Sequence, residues 1–234
     1  MGDDLIFTSM ASVEPSQQET VVIPASKTHT ATVIFVHGLG QNTATWRDMI
    51  LEGLVPNLPN VEWVIPQASD KDVSYEHRRR PAWFNITALP PGPDEFDENA
   101  ITESIGIIED LILSQVHRGI DASKIVLVGF SQGAALSLMV ALWTLHDLGG
   151  VASLAGWIPL KAKDQPIASP NFPVLWCHGL ADELIPTEHA EDVVAYLNKN
   201  LKGPVQFEKY PGLGHTINAA MVATLLAWLT RLCM

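Results

Sequence analysis

The sequence predicts an α/β fold in a single domain, with a mostly parallel central sheet covered by helices on both faces. Apolar runs of strand length alternate with helical patterns along almost the whole chain, as in parallel sheets joined by helical crossovers. Residues 125–128 are four branched apolar residues in a row, which is typical of a strand buried on both faces. With 234 residues and 47% hydrophobic content, the chain can bury one large core.

Strands are predicted where short apolar runs end at turn residues. They cover residues 20–23, 30–36, 61–65, 125–128, 151–155, 174–177 and 205–210. Helices are predicted over residues 45–54, 97–119, 134–146, 188–201 and 216–232. In the second of these, isoleucines recur from Ile101 to Ile112 at steps of four, three and four residues, as on one face of an amphipathic helix.

Two segments lie outside this alternation. Residues 1–20 are polar, so we expect a loosely ordered N-terminal segment before a domain over residues 21–234. Residues 66–93 have no clear periodicity and are predicted as a long loop, a feature that is usually functional or disordered. Within that loop the run Arg78-Arg79-Arg80 is expected on a solvated surface, and Trp83 is expected to anchor the loop to the core.

Composition excludes several classes of function. A formal net charge of -12 argues against binding to nucleic acids or anionic membranes, which both require a basic surface. Only two cysteines occur, which suits a reducing compartment and predicts a cytoplasmic protein without a disulfide framework or a zinc site. The acidic N-terminus has no apolar core of a signal peptide, and no apolar run approaches the length of a membrane span.

The sequence Gly129-Phe130-Ser131-Gln132-Gly133 joins the strand at 125–128 to the following helix. A Gly-x-Ser-x-Gly turn in that context predicts a nucleophile elbow, which holds the Ser131 hydroxyl out at the carboxyl edge of the sheet. The backbone N–H of Gln132 would then point at an oxyanion formed on an attacked carbonyl. The alternative is a glycine-flanked serine in an ordinary strand–helix connection.

Two later strands lead to residues that complete a hydrolytic triad. Asp182 follows the strand at 174–177, and His215 follows the strand at 205–210. The chain order of serine, acid and histidine matches the hydrolytic sites that are built at the carboxyl ends of parallel strands. A histidine can take the serine proton during attack, and a carboxylate can fix its tautomer. Glu183 is the alternative acid.

The remaining histidines predict no metal centre. His37 and His178 each precede a glycine at a strand end and are interpreted as structural, and the others lack the spacing of metal ligands. We expect no metal and no cofactor. The loop Gly38-Leu39-Gly40 lies where a second oxyanion-hole amide would originate, although a tight turn into the next helix is the alternative.

With these residues in place, the chain resembles the phospholipase/carboxylesterase family, small α/β-hydrolases that include acyl-protein thioesterases and carboxylesterases. The resemblance spans about residues 30–232 and rests on six motifs in order. They are residues 37–40 (His-Gly-Leu-Gly), 82–86 (Ala-Trp-Phe-Asn-Ile), 129–133 (Gly-Phe-Ser-Gln-Gly), 156–159 (Gly-Trp-Ile-Pro), 177–186 and 210–215. It implies the α/β-hydrolase fold and favours Asp182 over Glu183 as the acid.

The same resemblance implies residue roles beyond the triad of Ser131, Asp182 and His215. The backbone N–H groups of Leu39 and Gln132 would form the oxyanion hole. Trp157 and Leu184 match positions that line the acyl-binding channel of the thioesterases, and Trp83 is a further candidate for contact with substrate. Some family members also form homodimers that cover the mouth of the active site.

Departures from the family pattern weaken a specific assignment to protein depalmitoylation. The thioesterases carry a largely apolar loop before the Trp-Phe motif, whereas residues 69–80 here contain two Asp, one Glu, one Lys and three Arg. Such a loop would cover a long alkyl chain poorly, since burial of each methylene contributes about 0.8 kcal/mol. In addition, Glu183 replaces a usual proline, and Gly2 stands where some members carry a lipidated cysteine.

The sequence therefore predicts a serine hydrolase that cleaves carboxylic esters or thioesters through an acyl-enzyme on Ser131. Its substrates would be small esters, lipid esters or S-acylated proteins, as in carboxylesterases and acyl-protein thioesterases. A lysophospholipase is the alternative within enzymes. A binding protein that keeps the hydrolase fold without catalysis is the alternative from another class.

Overall fold

Seven strands form the central sheet of the computed structural model, which describes residues 20–92 and 95–234. In chain order the strands of the protein are β1 (Val21–Ile23), β2 (Ala31–Val36), β3 (Val61–Ile65), β4 (Asp70–Val73), β5 (Arg78–Pro81), β6 (Ile125–Phe130), β7 (Gly150–Leu154), β8 (Val174–Gly179) and β9 (Val205–Tyr210). The helices are α1 (Thr43–Met49), α2 (Glu98–His117), α3 (Gln132–Trp143), α4 (Leu160–Lys163), α5 (Thr187–Asn200) and α6 (Ala219–Cys233). The predicted N-terminal segment falls, except for Thr20, outside the described residues.

The spatial order of the sheet is β1-β3-β2-β6-β7-β8-β9. Strand β1 pairs antiparallel with β3 at one edge, and every other neighbouring pair in this sheet is parallel. From β2 the chain passes outward to β3 on one side, and it returns through α2 to β6 on the other side. The carboxyl ends of β2 and β6 therefore flank the switch point where ligands bind in open α/β sheets.

Helices cover both faces of the sheet, as the alternating pattern predicts. Neighbouring residues of one strand point to opposite faces, so Ile34 of β2 joins one core cluster and Phe35 joins the other. The Ile34 side is covered by α2, α3 and α5. The Phe35 side is covered by α1 and α6, through Trp46 and Trp228. The resulting core on each face keeps the central strands rigid and fully buried.

Helix α3 follows the elbow directly and is almost entirely buried. It begins at Gln132 and ends at Trp143, three residues before the predicted end, because Thr144 turns to an extended backbone with ψ of 147°. Residues 132–142 are all buried, which is typical of a helix that is apolar on every side. The amino end of α3 is thus fixed within the core, directly after Ser131.

The predicted loop over residues 66–93 contains a hairpin that sequence reasoning missed. Strands β4 and β5 pair antiparallel, with Asp70 opposite Pro81 and Val73 opposite Arg78. Their residues are mostly charged and have low β-propensity, so the local pattern did not predict strands. The hairpin is fastened to α2 by an ion pair of 2.7 Å between Lys71 and Glu103.

The expectation of a solvated arginine run holds for two of its three members. The side chains of Arg78 and Arg79 are largely exposed, whereas only 23% of the Arg80 side chain is exposed. The prediction was wrong for Arg80 because its guanidinium packs against Gly40 and binds Glu76.

Candidate active site

Ser131 lies on a strained turn between β6 and α3. Its backbone has φ of 52° and ψ of -119°, a conformation that a residue with a side chain rarely adopts. The two glycines of the motif permit the close approach of strand and helix. A Cβ atom on Gly129 would lie 2.4 Å from the Gly133 carbonyl oxygen, and one on Gly133 would lie 2.1 Å from the Val36 carbonyl oxygen. This is the geometry of a nucleophile elbow.

The structure brings Ser131, His215 and Asp182 into one hydrogen-bonded chain. The His215 Nε2 atom lies 2.8 Å from the Ser131 Oγ atom, and the His215 Nδ1 atom lies 2.7 Å from the Asp182 Oδ2 atom. Because the carboxylate accepts a hydrogen bond from Nδ1–H, the proton of the neutral ring stays on Nδ1, and Nε2 presents its lone pair to the serine hydroxyl. The arrangement can therefore remove the proton from Ser131 during attack on a carbonyl carbon.

Asp182 is fixed by the loop that carries it. Its Oδ1 atom accepts hydrogen bonds from the backbone N–H groups of Leu184 at 3.0 Å and Ile185 at 2.9 Å. Burial opposes ionisation of this carboxyl, but the hydrogen bonds from His215 and Ile185 outweigh it and lower the pKa of Asp182. Glu183 is exposed and points away from the core, so geometry selects Asp182 as the acid.

His178 contacts the loop of residues 180–186 that carries Asp182, which we call the acid loop. Its Nε2 atom donates to the Ile185 carbonyl oxygen at 2.7 Å and lies 3.6 Å from the Asp182 Oδ2 atom. The ring is fully buried, and burial lowers its pKa, so it stays neutral at physiological pH. These contacts agree with the structural role that was expected for His178.

The oxyanion hole expected from Leu39 and Gln132 lies at the adjacent ends of β2 and β6. Gln132 is the first residue of α3, where a backbone N–H has no carbonyl partner inside its own helix. The N–H groups beside Leu39 are both occupied: Gly38 donates to the Gln41 side chain at 2.8 Å, and Gly40 donates to the Pro81 carbonyl at 2.7 Å. No hydrogen bond joins the Leu39 N–H to another residue of the described chain.

His37 fixes the position of residues 38–40, which we call the oxyanion loop. Its Nδ1 atom donates to the Gly38 carbonyl at 2.8 Å, and its Nε2 atom accepts from the Ala68 N–H at 3.0 Å. The ring is completely buried, and burial lowers the pKa of His37 to about 4. A neutral ring is required because Nε2 acts as an acceptor.

The side chain of Gln132 has a second role that sequence reasoning missed. It is buried, and its Oε1 atom accepts from the Trp83 N–H at 2.9 Å while its Nε2 atom donates to the Phe84 carbonyl at 2.8 Å. The Trp83 indole N–H in turn donates to the His37 carbonyl at 2.7 Å. This network ties the elbow to the oxyanion loop. No local sequence signal predicts it, because its partners are far apart in the chain.

Trp83 is therefore part of the scaffold and has no surface for substrate. It is 1% exposed, which corrects its place among the candidate substrate contacts and agrees with its expected role as an anchor. The two other candidate substrate contacts line different cavities. Leu184 lines the same cavity as Ser131, whereas Trp157 is buried and lines a neighbouring cavity of about 210 Å³.

The cavity that contains Ser131 and His215 has a volume of about 550 Å³. Its lining includes the apolar residues Trp46, Met49 and Ile217 and the charged hairpin residues Glu76 and Arg80. A site of this size accepts small organic substrates. Ser131 can thus attack a carbonyl group that is bound in this cavity.

Comparison with known proteins identifies similar chains over nearly the full length. The sequence model of the phospholipase/carboxylesterase family matches residues 17–233. Acyl-protein thioesterase 1 of Yarrowia lipolytica is 34% identical over 215 residues, which cover 89% of this chain and 95% of that protein. The protein of the same name from Cryptococcus neoformans var. neoformans serotype D is 32% identical over 233 residues, covering 92% of this chain and 98% of that protein.

Solved structures show the same fold. Acyl-protein thioesterase 2 of Zea mays has a TM-score of 0.80 at 28% identity and covers 93% of this chain and 100% of that chain. SOBER1 of Arabidopsis thaliana has a TM-score of 0.80 at 26% identity and covers 88% of this chain and 100% of that chain. Among the residues described, no helix has the length and apolar content needed to cross a membrane.

Proposed function

The chain belongs to the phospholipase/carboxylesterase family and is a hydrolase of carboxylic esters or thioesters, and we propose that it acts through an acyl-enzyme on Ser131. The observation that carries this proposal is the hydrogen-bonded chain from Ser131 through His215 to Asp182, which opens into a cavity.

In the first half of the reaction, the Ser131 Oγ atom attacks the carbonyl carbon while His215 Nε2 accepts the hydroxyl proton. The carbonyl oxygen becomes an oxyanion, which the N–H groups of Leu39 and Gln132 stabilise. Asp182 stabilises the imidazolium that forms. When the intermediate collapses, the bond from carbon to the alcohol oxygen or thiol sulfur breaks, and His215 returns the proton to that leaving group.

In the second half, a water molecule attacks the acyl-enzyme. His215 accepts a proton from the water as its oxygen bonds to the acyl carbon, and the same backbone amides hold the second oxyanion. Collapse breaks the bond to Ser131, and His215 returns a proton to the Oγ atom. The products are the carboxylic acid and a regenerated serine, so no cofactor is consumed.

The proposed substrates are small carboxylic esters, since charged residues of the hairpin line part of the cavity, and lipid esters are an alternative. S-acylated proteins are the second candidate, because relatives that are 32% and 34% identical bear the name acyl-protein thioesterase. A lysophospholipid would be cleaved by the same steps at its fatty ester.

We also propose a cytoplasmic location, because Cys177 and Cys233 are both buried free thiols, a state that suits a reducing compartment. The homodimer implied for some family members stays a prediction. The molar mass from light scattering, measured at several protein concentrations, tests it against the 25.5 kDa of one chain.

The proposal is tested by the hydrolysis of p-nitrophenyl esters and matched acyl thioesters, with Ser131→Ala as the blank. We expect turnover of both classes in the wild-type protein and none above the blank in the variant. Hydrolysis that persists in folded Ser131→Ala would contradict the acyl-enzyme. Absence of any Ser131-dependent hydrolysis would instead favour the non-catalytic binding protein.

A further inference from the structure

A charged pair forms part of the wall of the cavity that contains the nucleophile. Glu76 and Arg80 line this cavity together with Ser131 and His215. Among the described lining residues, these two alone carry a permanent charge, and most of the others are apolar. The proposed chemistry at Ser131 uses neither of them, so their position needs a separate explanation.

Ion pairing holds both side chains in place. The Arg80 Nη1 atom binds both carboxylate oxygens of Glu76, and the Arg78 Nε atom lies 2.7 Å from Glu76 Oε2. The hydrogen bond from Arg80 is the largest of the effects that lower the pKa of Glu76, so the carboxylate is ionised at neutral pH. The cluster of three groups therefore carries a net positive charge.

Arg80 also lies directly on the oxyanion loop. A Cβ atom added to Gly40 would come within 1.5 Å of the Arg80 Nη2 atom, so the guanidinium occupies the space that glycine leaves open. The adjoining Pro81 carbonyl accepts the Gly40 N–H at 2.7 Å, which fixes β5 against this loop. The charged group is thus a rigid neighbour of Leu39, one of the proposed oxyanion donors.

The pleat of β5 separates its three arginines. Arg78 and Arg80 point to one face and share Glu76. Arg79 points to the other face, where it lies 3.9 Å from Asp72 and donates to the Asp70 carbonyl at 2.9 Å. Arg79 is therefore a matched control for Arg80: it has the same side chain and the same strand but faces away from the cavity.

An alkyl chain that lies against this pair gains little from burial. Against an apolar wall, each added methylene would raise kcat/KM by about fourfold, as follows from the free energy of its transfer out of water. A charged wall gives no such gain, because the chain would displace water from groups that need it. A long acyl chain would therefore meet a barrier beside Ser131 that a short acyl group avoids.

We propose that Arg80, held by Glu76, is a specificity-determining residue that restricts the acyl group to short chains or to chains with a polar end. The proposal rests on the proposed function, because it concerns the acyl group that Ser131 receives. Leu184 lies in the same cavity and matches an acyl-channel position of the family, so the pair is assigned to the acyl side of the ester.

The experiment compares kcat/KM for p-nitrophenyl esters from acetyl to palmitoyl in wild-type protein, Arg80→Met and Arg79→Met. Methionine matches the aliphatic part of arginine but lacks the charged guanidinium group, and Glu76 keeps Arg78 as a partner in Arg80→Met. We expect wild-type values to fall beyond short chains. The octanoyl-to-acetyl ratio should rise at least about tenfold in Arg80→Met, equivalent to two buried methylenes, and should stay at the wild-type ratio in Arg79→Met.

A second variant gives a readout that a structural role would not change. Glu76→Gln leaves the Arg80 guanidinium without its carboxylate, so a carboxylate at the end of the acyl group should bind in its place. We expect the ratio of kcat/KM for ethyl hydrogen succinate over ethyl pentanoate to rise by about tenfold or more, as for a hydrogen bond to a charged group.

Three results would overturn the proposal. They are wild-type kcat/KM values that increase steadily to palmitoyl, equal octanoyl-to-acetyl ratios in Arg80→Met and Arg79→Met, and an unchanged succinate-to-pentanoate ratio in Glu76→Gln. The first result needs no variant, so it applies even if Arg80→Met does not fold. Failure of the proposed function is distinct: there, no member of the series would show hydrolysis above the Ser131→Ala blank.

Discussion

The substitution Asp182→Asn tests how the acid loop controls catalysis. The Asp182 Oδ1 atom accepts hydrogen bonds from two backbone N–H groups, and its Oδ2 atom accepts a hydrogen bond from His215 Nδ1–H. An asparagine keeps its oxygen on the two N–H donors and turns its NH₂ group towards His215. The imidazole must then accept at Nδ1 and carry its proton on Nε2, where it can no longer accept from Ser131.

The structure sets the size of this effect. Rotating the amide to restore the correct tautomer would direct an NH₂ group at two backbone donors and forfeit two hydrogen bonds. Each lost bond costs about 1–3 kcal/mol, so the productive arrangement would be disfavoured by about 2–6 kcal/mol. With the loss of charge stabilisation for the imidazolium, we expect kcat to fall by about 10³- to 10⁴-fold.

The assay is kcat for a short-chain p-nitrophenyl ester, with the melting temperature as a check on folding. Glu183→Gln is the matched control, because this neighbouring carboxylate is exposed, and its kcat should stay near the wild-type value. A folded Asp182→Asn protein with kcat within about tenfold of wild type would contradict the role of Asp182 in fixing the His215 tautomer, because loss of that role alone requires a larger decrease.

Further predictions concern stability, measured as the free energy of unfolding. Gly133→Ala should prevent folding or destabilise the protein by at least about 3 kcal/mol, because its Cβ would lie 2.1 Å from a backbone oxygen. The control Gly106→Ala, on the open surface of α2, should instead stabilise the protein by about 0.5–1 kcal/mol. Gln132→Leu should cost about 2–6 kcal/mol, because it leaves a buried N–H and a buried carbonyl unpaired. Burial lowers the pKa of His37 in the folded protein to about 4. The stabilisation that its neutral ring gives to the folded state is therefore fully present above pH 6.5 and is lost as the pH falls towards 4. Wild-type protein should therefore lose about 2 kcal/mol more than His37→Gln between pH 7 and pH 5, and equal losses would contradict this.

The central sheet and the triad could be predicted because their signals are local. The run at 125–128 needs burial on both faces wherever it lies, and the glycines at 129 and 133 match a turn whose geometry admits no side chain at either position. Asp182 and His215 follow strands whose carboxyl ends meet at one edge of a parallel sheet. Topology therefore brings them together without any detailed knowledge of packing.

The remaining features depend on contacts between distant parts of the chain. The β4–β5 hairpin consists of charged residues that form strands only because the sheet edge and α2 support them. The burial of Trp83 follows from its hydrogen bonds to His37 and Gln132, which lie 46 and 49 residues away. Likewise, the pleat of β5 puts Arg79 on the opposite face, and the contact with distant Gly40 places Arg80, rather than Arg78, at the cavity.

Covalent labelling with a fluorophosphonate, followed by peptide mapping, tests the assignment of the nucleophile most directly. We expect one adduct per chain on Ser131, none in Ser131→Ala and slow labelling in Asp182→Asn, because a phosphonate is attacked by the same activated hydroxyl. An adduct on a different residue, or equal labelling of Ser131→Ala, would contradict the account and place the nucleophile elsewhere.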